Sequence, residues 1–179
     1  GAIYLWNLWK QSIQKPWKDI GILGYWAIGI LGVLFFIEAY FYHAPRNNAP
    51  SMSYGWREAM VYIQSVEGKY NQIIISRAFS EPHIFVAFHK KWDPQGYQKD
   101  AQDWLHYENQ GLLFVDQLGE WSLGKYKFRD IHYDEKDSGL GDILIVGRAR
   151  DFPENLIGEN KVLYPDGKTA ILIVDPLSQ

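Results

Sequence analysis

Cysteine is absent from the 179 residues of this chain, and its absence excludes two kinds of site. No disulfide framework can form, and no zinc site can be built from thiolates. The sequence also lacks the H-E-x-x-H spacing of a zinc protease and the G-x-S-x-G setting of a nucleophilic serine. Without a metal-binding motif or a nucleophile motif, the chain shows no catalytic signature of its own.

A long run of positive charge is missing as well. Residues 43–179 contain 15 basic and 19 acidic residues, which gives them a formal charge of −4. Such a mildly acidic segment has no polybasic surface for nucleic acid and no Lys/Arg run that would hold it flat on anionic lipid. Gly139 and Gly141 suggest a dinucleotide fingerprint, but its third glycine would fall at Leu144. Neither a nucleic-acid partner nor a cofactor is therefore expected.

What the sequence does contain is one long apolar segment, residues 20–42, in which Glu38 is the only charged residue. About 20 apolar residues suffice for a helix to cross the hydrocarbon core of a bilayer. A secretory signal peptide would have a shorter apolar stretch near the N-terminus, followed by a small-residue cleavage site. Here 19 residues precede the segment and aromatic residues end it. The pattern predicts a transmembrane helix over residues 20–42, with the lipid bilayer as its partner.

The charges that flank this helix predict its orientation. Lys10, Lys15 and Lys18 precede it, whereas only Arg46 and then Arg57 follow it closely. Positively charged flanks tend to stay in the cytoplasm. We therefore expect a cell-membrane protein whose residues 43–179 lie on the extracytoplasmic side.

Residues 1–19 leave two interpretations open. The chain begins at Gly1 without a methionine and places its first leucines and tryptophans at roughly helical intervals. This pattern fits an interfacial amphipathic helix or the end of an earlier, truncated membrane segment. The second interpretation is favoured, so the chain is expected to be the C-terminal part of a longer membrane protein. Gly21, Gly24 and Gly32 lie near one face of the predicted span, where upstream transmembrane helices of the same protein could pack closely.

Beyond a Pro- and Asn-rich linker at residues 43–52, residues 53–179 are predicted to form a small soluble α/β domain with a mixed sheet. Ser53 is a candidate helix cap, and Pro82 would occupy the first turn of another helix. Strands are predicted where short β-branched or alternating segments occur. The predicted elements are helices at 54–66, 81–92 and 100–109, strands at 72–76, 112–116, 126–131 and 143–147, and a hairpin of 161–164 and 170–174 around Pro165-Asp166-Gly167.

Several short motifs give the chain a family resemblance. They are Tyr54-Gly55-Trp56-Arg57-Glu58-Ala59, Ser76-Arg77 with Glu81-Pro82-His83-Ile84-Phe85, Trp92-Asp93-Pro94, Phe114-Val115-Asp116 and Tyr164-Pro165-Asp166-Gly167-Lys168. Together with the predicted span, they resemble the C-terminal part of bacterial glycosyltransferase family 39 proteins, the relatives of dolichyl-phosphate-mannose–protein mannosyltransferases. The motifs consist of turns, caps and packing residues, and none is a catalytic signature.

This resemblance implies a function. Such enzymes are multi-helix membrane proteins that take a sugar from a polyprenyl-phosphate carrier and transfer it to an acceptor on the outer face of the membrane. Their catalytic base is an acidic residue on the first outward loop, which this chain does not include. The chain would therefore be an accessory extracytoplasmic domain of such a transferase, with no catalytic residue of its own and with the lipid-linked sugar or the acceptor as its expected ligand.

Three side chains are the predicted substrate-binding residues. Arg77, Glu81 and His83 cluster at a strand-to-helix turn, where open α/β sheets usually bind ligands. In a simpler interpretation, Glu81 only interacts favourably with the helix N-terminus, and His83 and His89 are surface histidines. Two residues of separation would place Glu81 and His83 on different faces of a helix. Residues 134–139 suggest a calcium loop, but Lys136 would take its third ligand position, so a solvated acidic loop and no metal site are expected.

Two other functions remain as alternatives. The chain would serve as a non-enzymatic, single-pass membrane-anchored module that binds a partner or a glycan, or as a tethered hydrolase. The hydrolase is the weakest alternative because no triad or metal motif is present. The alternatives differ upstream of Gly1, where a transferase would encode further spanning helices and an independent module would encode its own nearby methionine.

Overall fold

A computed structural model of the chain describes residues 1–154, 156 and 160–176, with side chains at 8, 11–19, 134 and 135 outside the description. The chain divides into two compact units, Gly1–Asn47 and Asn48–Gln179.

The first unit is dominated by one long helix. Helix α1 covers Ala2–Glu38 and continues through a π-helical turn, Ala39–His43, into helix α2, Ala44–Asn48. Within the described residues this is the single helix that is long and apolar enough to cross a membrane, and none of its apolar part is buried. The linker predicted at 43–52 is therefore largely helical, since a 3-10 turn at Ala49–Ser51 extends it.

The second unit is a mixed α/β fold around a six-stranded sheet with the strand order β2-β3-β1-β4-β6-β5. Its strands are β1 Gln72–Ser76, β2 Glu120–Leu123, β3 Tyr126–Arg129, β4 Ile143–Gly147, β5 Asn160–Leu163 and β6 Thr169–Val174. Its helices are α3 Trp56–Val66, α4 Pro82–Lys90 and α5 Pro94–Asp100. The mixed α/β class predicted from the sequence is confirmed.

The centre of the sheet is parallel and its margins are antiparallel. Strand β1 pairs in parallel with β3 on one side and with β4 on the other, so that Ile73 lies opposite both Tyr126 and Leu144. The β2–β3 and β5–β6 hairpins complete the two margins. Because both faces of a parallel sheet are covered, the middle of β1 and the whole of β4 are apolar, as their QIIIS and ILIVG sequences predict.

Two apolar clusters cover the faces of the sheet. The larger cluster joins α3 and α4 to one face through Met60, Ile63, Val86, Ile73 and Ile75. The smaller cluster covers the opposite face. It contains Ile74, Ile143, Ile145, Leu172 and Val174 of the sheet, and Tyr133 and Phe152 beside it.

Strands β1 and β4, the β5–β6 hairpin and helix α4 with Pro82 in its first turn were predicted correctly. The strand predicted at 112–116 is wrong, because a 3-10 turn, Val115–Leu118, occupies its end. The helix predicted at 100–109 is also wrong. Residues 101–106 form turns, and the 3-10 turn Tyr107–Gln110 follows them.

Helix α3 begins differently from the prediction. Its N-cap position is occupied by Gly55 at φ 92°, and Ser53 makes no capping hydrogen bond. Glycine fits this left-handed conformation, and a Cβ there would lie 2.7 Å from Cγ1 of Val162. The tight approach of Gly55 to β5 explains why the helix starts after a glycine and not at the serine.

Candidate functional site

The candidate site is built where the central strand β1 ends. Ser76 is buried there, and its hydroxyl accepts a hydrogen bond from the N–H of Ala78 at 3.2 Å, which helps to turn the chain. The N–H of Arg77 donates to the carbonyl of Arg129 at 3.1 Å and keeps Arg77 beside the end of β3. The carboxyl ends of parallel strands are the usual ligand-binding edge of open α/β sheets.

The side chain of Arg77 ties three chain segments together. Its Nε lies 2.6 Å from Oδ1 of Asp130, just beyond β3. Its Nη1 donates to the carbonyl of Asp116 at 2.9 Å, in the 3-10 turn Val115–Leu118. The hydrogen bond from Arg77 lowers the pKa of Asp130, and the same bond raises the pKa of Arg77. Both side chains are partly exposed, so this pair positions the segments more than it stabilises the fold.

Glu81 stands at the N-cap of α4 in a left-handed conformation, with φ 52° and ψ 48°. A residue other than glycine pays roughly 1–3 kcal/mol for such a conformation, which is found most often at functional sites. Pro82 follows at the first helical position, where its missing N–H has no cost. The N–H of Glu81 points to Oδ2 of Asp116 at 3.4 Å, a long hydrogen bond that joins the helix start to the 3-10 turn.

His83 is buried inside a ring of aromatic side chains. Its ring centroid lies 4.9 Å from that of Trp104, 5.8 Å from that of Trp121 and 6.1 Å from that of Phe128. Burial lowers the pKa of His83 to about 4, so the ring is neutral at pH 7. Its Nε2 lies 3.3 Å from Oε2 of Glu81, and its buried Nδ1 has no partner among the described residues.

The contact between Glu81 and His83 therefore involves a neutral ring and is not an ion pair. The imidazole side chain is only 4% exposed while the carboxyl is 32% exposed, so desolvation of the ring outweighs the attraction of the carboxylate for a proton. The prediction that these two residues face different sides of a helix is wrong, because Glu81 precedes the first helical turn.

Two carboxyl groups with raised pKa values face this turn. Burial raises the pKa of Glu81, and the nearby charge of Asp116 raises it further. Burial also raises the pKa of Asp116, although the hydrogen bond from the Glu81 N–H and the charge of Arg77 act in the opposite direction. One oxygen of Asp116, Oδ1, is buried without a hydrogen-bond donor among the described residues. The partly exposed carboxyl of Glu81 can accept hydrogen bonds from ligand hydroxyls, and Arg77 can donate them.

A polar cavity adjoins the site and shares Asp130 with it. The cavity has a volume of about 460 Å³ and is also lined by Glu120, Arg129, His132 and Lys136. Its volume lies within the range of small-molecule sites. The edge of the sheet thus offers space next to the hydrogen-bonding groups of Arg77.

One wall of this cavity is held by a buried ion pair. Oδ1 of Asp137 lies 2.6 Å from Nη2 of Arg129, and its Oδ2 accepts hydrogen bonds from Nη1 at 3.1 Å and from the His132 N–H at 2.7 Å. Burial acts to raise the pKa of Asp137, but the hydrogen bonds from Arg129 and His132 outweigh it and lower the pKa. The expectation of a solvated acidic loop is wrong for Asp137, which is fully buried.

A second polar cluster lies at the opposite end of β3 and is structural. Nζ of Lys90 contacts both carboxylate oxygens of Glu67, at 2.7 and 2.8 Å, and the Tyr126 hydroxyl donates to Glu67. Burial acts to raise the pKa of Glu67, but the hydrogen bonds from Lys90 and Tyr126 lower it. Since every group in this cluster is paired, it offers no free recognition surface.

The structure brings the three predicted site residues to one turn together with Asp116, which the sequence did not identify as a site residue. Arg77 and Glu81 both contact Asp116, and His83 contacts Glu81. The sequence signal for Asp116 as a site residue is its position directly after the apolar run LLFV, a run that predicts a strand and instead ends in a 3-10 turn. The prediction that His83 is a surface residue is wrong. Among the described residues no group of three or more metal-ligating side chains is assembled, and ligand binding by the site stays a prediction.

Comparisons of the chain with protein-family models, with curated proteins and with solved structures found no match.

Proposed function

We propose that this chain is the membrane-anchored C-terminal part of a glycosyltransferase that uses a polyprenyl-phosphate-linked sugar. Residues 20–42 span the bilayer, and the α/β unit lies on the extracytoplasmic side. The unit has an accessory role in which it binds the sugar donor or the acceptor through Arg77, Glu81 and His83. The chemical step belongs to an acidic residue on an upstream outward loop.

The observation that supports this proposal most strongly is the polar site at the carboxyl end of β1. Glu81 holds a strained backbone conformation, and its carboxyl and that of Asp116 both have raised pKa values, which is typical of a functional site. Glu81 and Arg77 both contact Asp116, so the turn combines an acceptor carboxyl with a donor guanidinium, which suits the hydroxyls of a sugar. Phe114, two residues before Asp116, is largely exposed and offers an apolar surface for a sugar ring.

The accessory role is supported by what the described part of the chain lacks. No metal-ligand cluster is assembled there, and the imidazole of His83 contacts aromatic side chains and the carboxyl of Glu81 in a chain that contains no cysteine. A nucleophile and a base within hydrogen-bonding reach are the minimum for covalent catalysis. We therefore assign the site a binding role.

Binding is tested with the full chain in lipid nanodiscs and a short-chain polyprenyl-phosphate mannose as the probe. Glu81→Gln removes the acceptor charge at the site, whereas Glu108→Gln removes an equally simple carboxylate from an exposed 3-10 turn. A hydrogen bond to a charged group is worth about 1.5–3 kcal/mol, so we expect affinity to fall roughly 10- to 100-fold in the first variant only. Equal affinity of both variants would refute the site.

The accessory role is tested in the protein encoded by the complete reading frame. We expect further spanning helices upstream and an acidic residue in the first outward loop. Replacing that acid should abolish sugar transfer, while Glu81→Ala should only weaken it. Complete loss of transfer in Glu81→Ala, with the fold intact by circular dichroism, would assign the chemistry to this chain and overturn the accessory role.

The alternative is a non-enzymatic, single-pass membrane-anchored binding module. One observation favours it, since the described residues contain a single membrane-length helix. An upstream sequence with its own start and no further spanning helices would support the module, and probe binding at Arg77 and Glu81 would then be its whole function.

A further inference from the structure

The outer surface of helix α4 carries apolar side chains that the fold leaves uncovered. Ile84 and Phe88 lie one turn apart on the same side of the helix and are 51% and 75% exposed. The opposite side of α4 is occupied by Val86 and His83, which are buried in the larger apolar cluster and its aromatic ring. Packing within the unit therefore does not explain why Ile84 and Phe88 are apolar.

Two shallow grooves extend this surface on either side of α4. One has a volume of about 480 Å³, and its walls include Tyr54 and Phe85. The other has a volume of about 560 Å³, and its walls include Trp92 and Leu105. Ile84 and Phe88 line both grooves, so the apolar surface is continuous. We call this surface the α4 face; it comprises Tyr54, Ile84, Phe85, Phe88, Trp92 and Leu105.

Positive charges border the α4 face. Arg57 lines the first groove beside Glu58, and Lys91 is exposed at the end of α4. Apolar and aromatic side chains beside Lys and Arg are the pattern of a helix that lies in the headgroup region of a bilayer. Since residues 43–179 carry a formal charge of −4, electrostatic attraction cannot hold the whole unit on lipid, and the apolar side chains must do so.

The length of the connection keeps the α4 face close to a bilayer. This step rests on the proposed function, in which residues 20–42 span the membrane. Five residues, 43–47, then separate the span from the second unit, and even fully extended they reach less than about 20 Å. The first groove is lined from Ser53 onward, near the start of this unit. Such a short tether makes lipid contact effectively intramolecular, so that a weakly apolar surface is enough.

We propose that the α4 face rests on the lipid bilayer, with Ile84 and Phe88 inserted between the headgroups and the upper acyl chains. This contact fixes the unit against the membrane surface. Its occupant is lipid and not a second protein.

The absence of cysteine makes the test direct, because Phe88→Cys introduces the only thiol of the chain. The full chain with a polarity-sensitive fluorophore at position 88 is reconstituted into phosphatidylcholine liposomes with or without a lipid that carries a shallow nitroxide. Leu140→Cys, at an exposed position in the loop after Tyr133–Asp137, is the matched control. We expect a blue-shifted emission and several-fold stronger quenching at position 88 than at 140.

Each other result overturns the proposal. Water-like emission without quenching at 88 would show an uncovered face, and a blue shift without quenching would show that protein covers it. Equal quenching at both positions would indicate unspecific contact. Extraction of the chain from liposomes by alkaline carbonate separately refutes the membrane span and hence the proposed function, whereas a retained chain with an unquenched label refutes the docking alone.

Discussion

The buried imidazole of His83 should make the stability of the second unit depend on pH between about 4 and 6.5. Burial lowers the pKa of His83 to about 4 in the folded protein, while an unfolded chain has a histidine pKa of about 6.5. Between these values the unfolded chain binds a proton that the folded protein excludes. The free energy of unfolding therefore falls as the pH is lowered through 6.5, and this loss is complete near pH 4.

The size of the effect follows from the two pKa values. A difference of about 2.5 pKa units corresponds to about 3 kcal/mol at 1.36 kcal/mol per unit. The carboxyl of Glu81, 3.3 Å from Nε2, favours the charged ring and reduces the loss, so we expect about 2–3 kcal/mol. The raised pKa values of Glu81 and Asp116 act in the opposite direction and raise the free energy of unfolding as the pH falls, because the folded protein takes up their protons more readily.

A variant without the titrating ring separates these contributions. His83→Phe keeps a flat ring in the aromatic cluster, loses the contact with Glu81 and removes the unpartnered Nδ1. We expect its free energy of unfolding at pH 7 to lie within about 1.5 kcal/mol of the original. Guanidinium unfolding of the full chain in detergent, followed by tryptophan fluorescence from pH 7 to pH 4, measures both proteins. His106→Phe at an exposed position is the control.

The free energy of unfolding should depend on pH differently in the original chain and in His83→Phe. The original chain should lose about 2–3 kcal/mol more than His83→Phe between pH 6.5 and pH 4, and His106→Phe should follow the original. Parallel curves for the original and His83→Phe would show that the ring is not held neutral. A stability that rises on acidification in the original alone would show that Glu81 holds an imidazolium, and it would refute the assignment of a neutral ring.

Two further predictions concern the fold. Asp137→Asn leaves the Arg129 guanidinium without its counter-charge, so the free energy of unfolding in guanidinium should fall by about 3 kcal/mol. The double change Arg129→Met with Asp137→Leu should recover most of this loss, and an unaltered unfolding midpoint in the single variant would contradict the prediction. Gly55→Ala forces a left-handed alanine against Val162 and should cost about 2 kcal/mol or more in thermal unfolding, while Gly68→Ala, which has open space and an ordinary φ, should change stability by less than about 1 kcal/mol.

The parts of the fold that were predicted correctly share a strong local signal. Strands β1 and β4 are short runs of isoleucine, leucine and valine, and the β5–β6 hairpin contains Pro165-Asp166-Gly167 with Gly167 at φ 87°. Such segments leave few alternatives, because β-branched residues favour strands and glycine permits the turn. Helix α4 likewise begins at a proline, as its sequence predicts.

The misses arose where distant contacts decide the local structure. The apolar run before Asp116 ends in a 3-10 turn whose carbonyl accepts a hydrogen bond from Arg77, 39 residues earlier in the chain. Strand β2 was not predicted from EWSL, although Gly124 at φ 56° follows it as a hairpin signal.

The site depends on such distant contacts even more. His83 is buried because Trp104, Trp121 and Phe128 surround it, and these residues come from three separate later segments. No helical periodicity around position 83 contains that information. The sequence could therefore bring Arg77, Glu81 and His83 to one turn, but it could not predict that Asp116 joins them or that the imidazole is neutral.

The middle strand of the sheet is also the earliest strand in the chain. Strand β1 needs β3 and β4 as its neighbours, and both are synthesised long after it. While the polypeptide is being made, the QIIIS segment lacks its first partner until residue 129 has emerged and its second until residue 147 has emerged, and slow pairing of this kind exposes nascent chains to aggregation. A ribosome that stalls before that point would leave one edge of β1 unpaired and prone to aggregation.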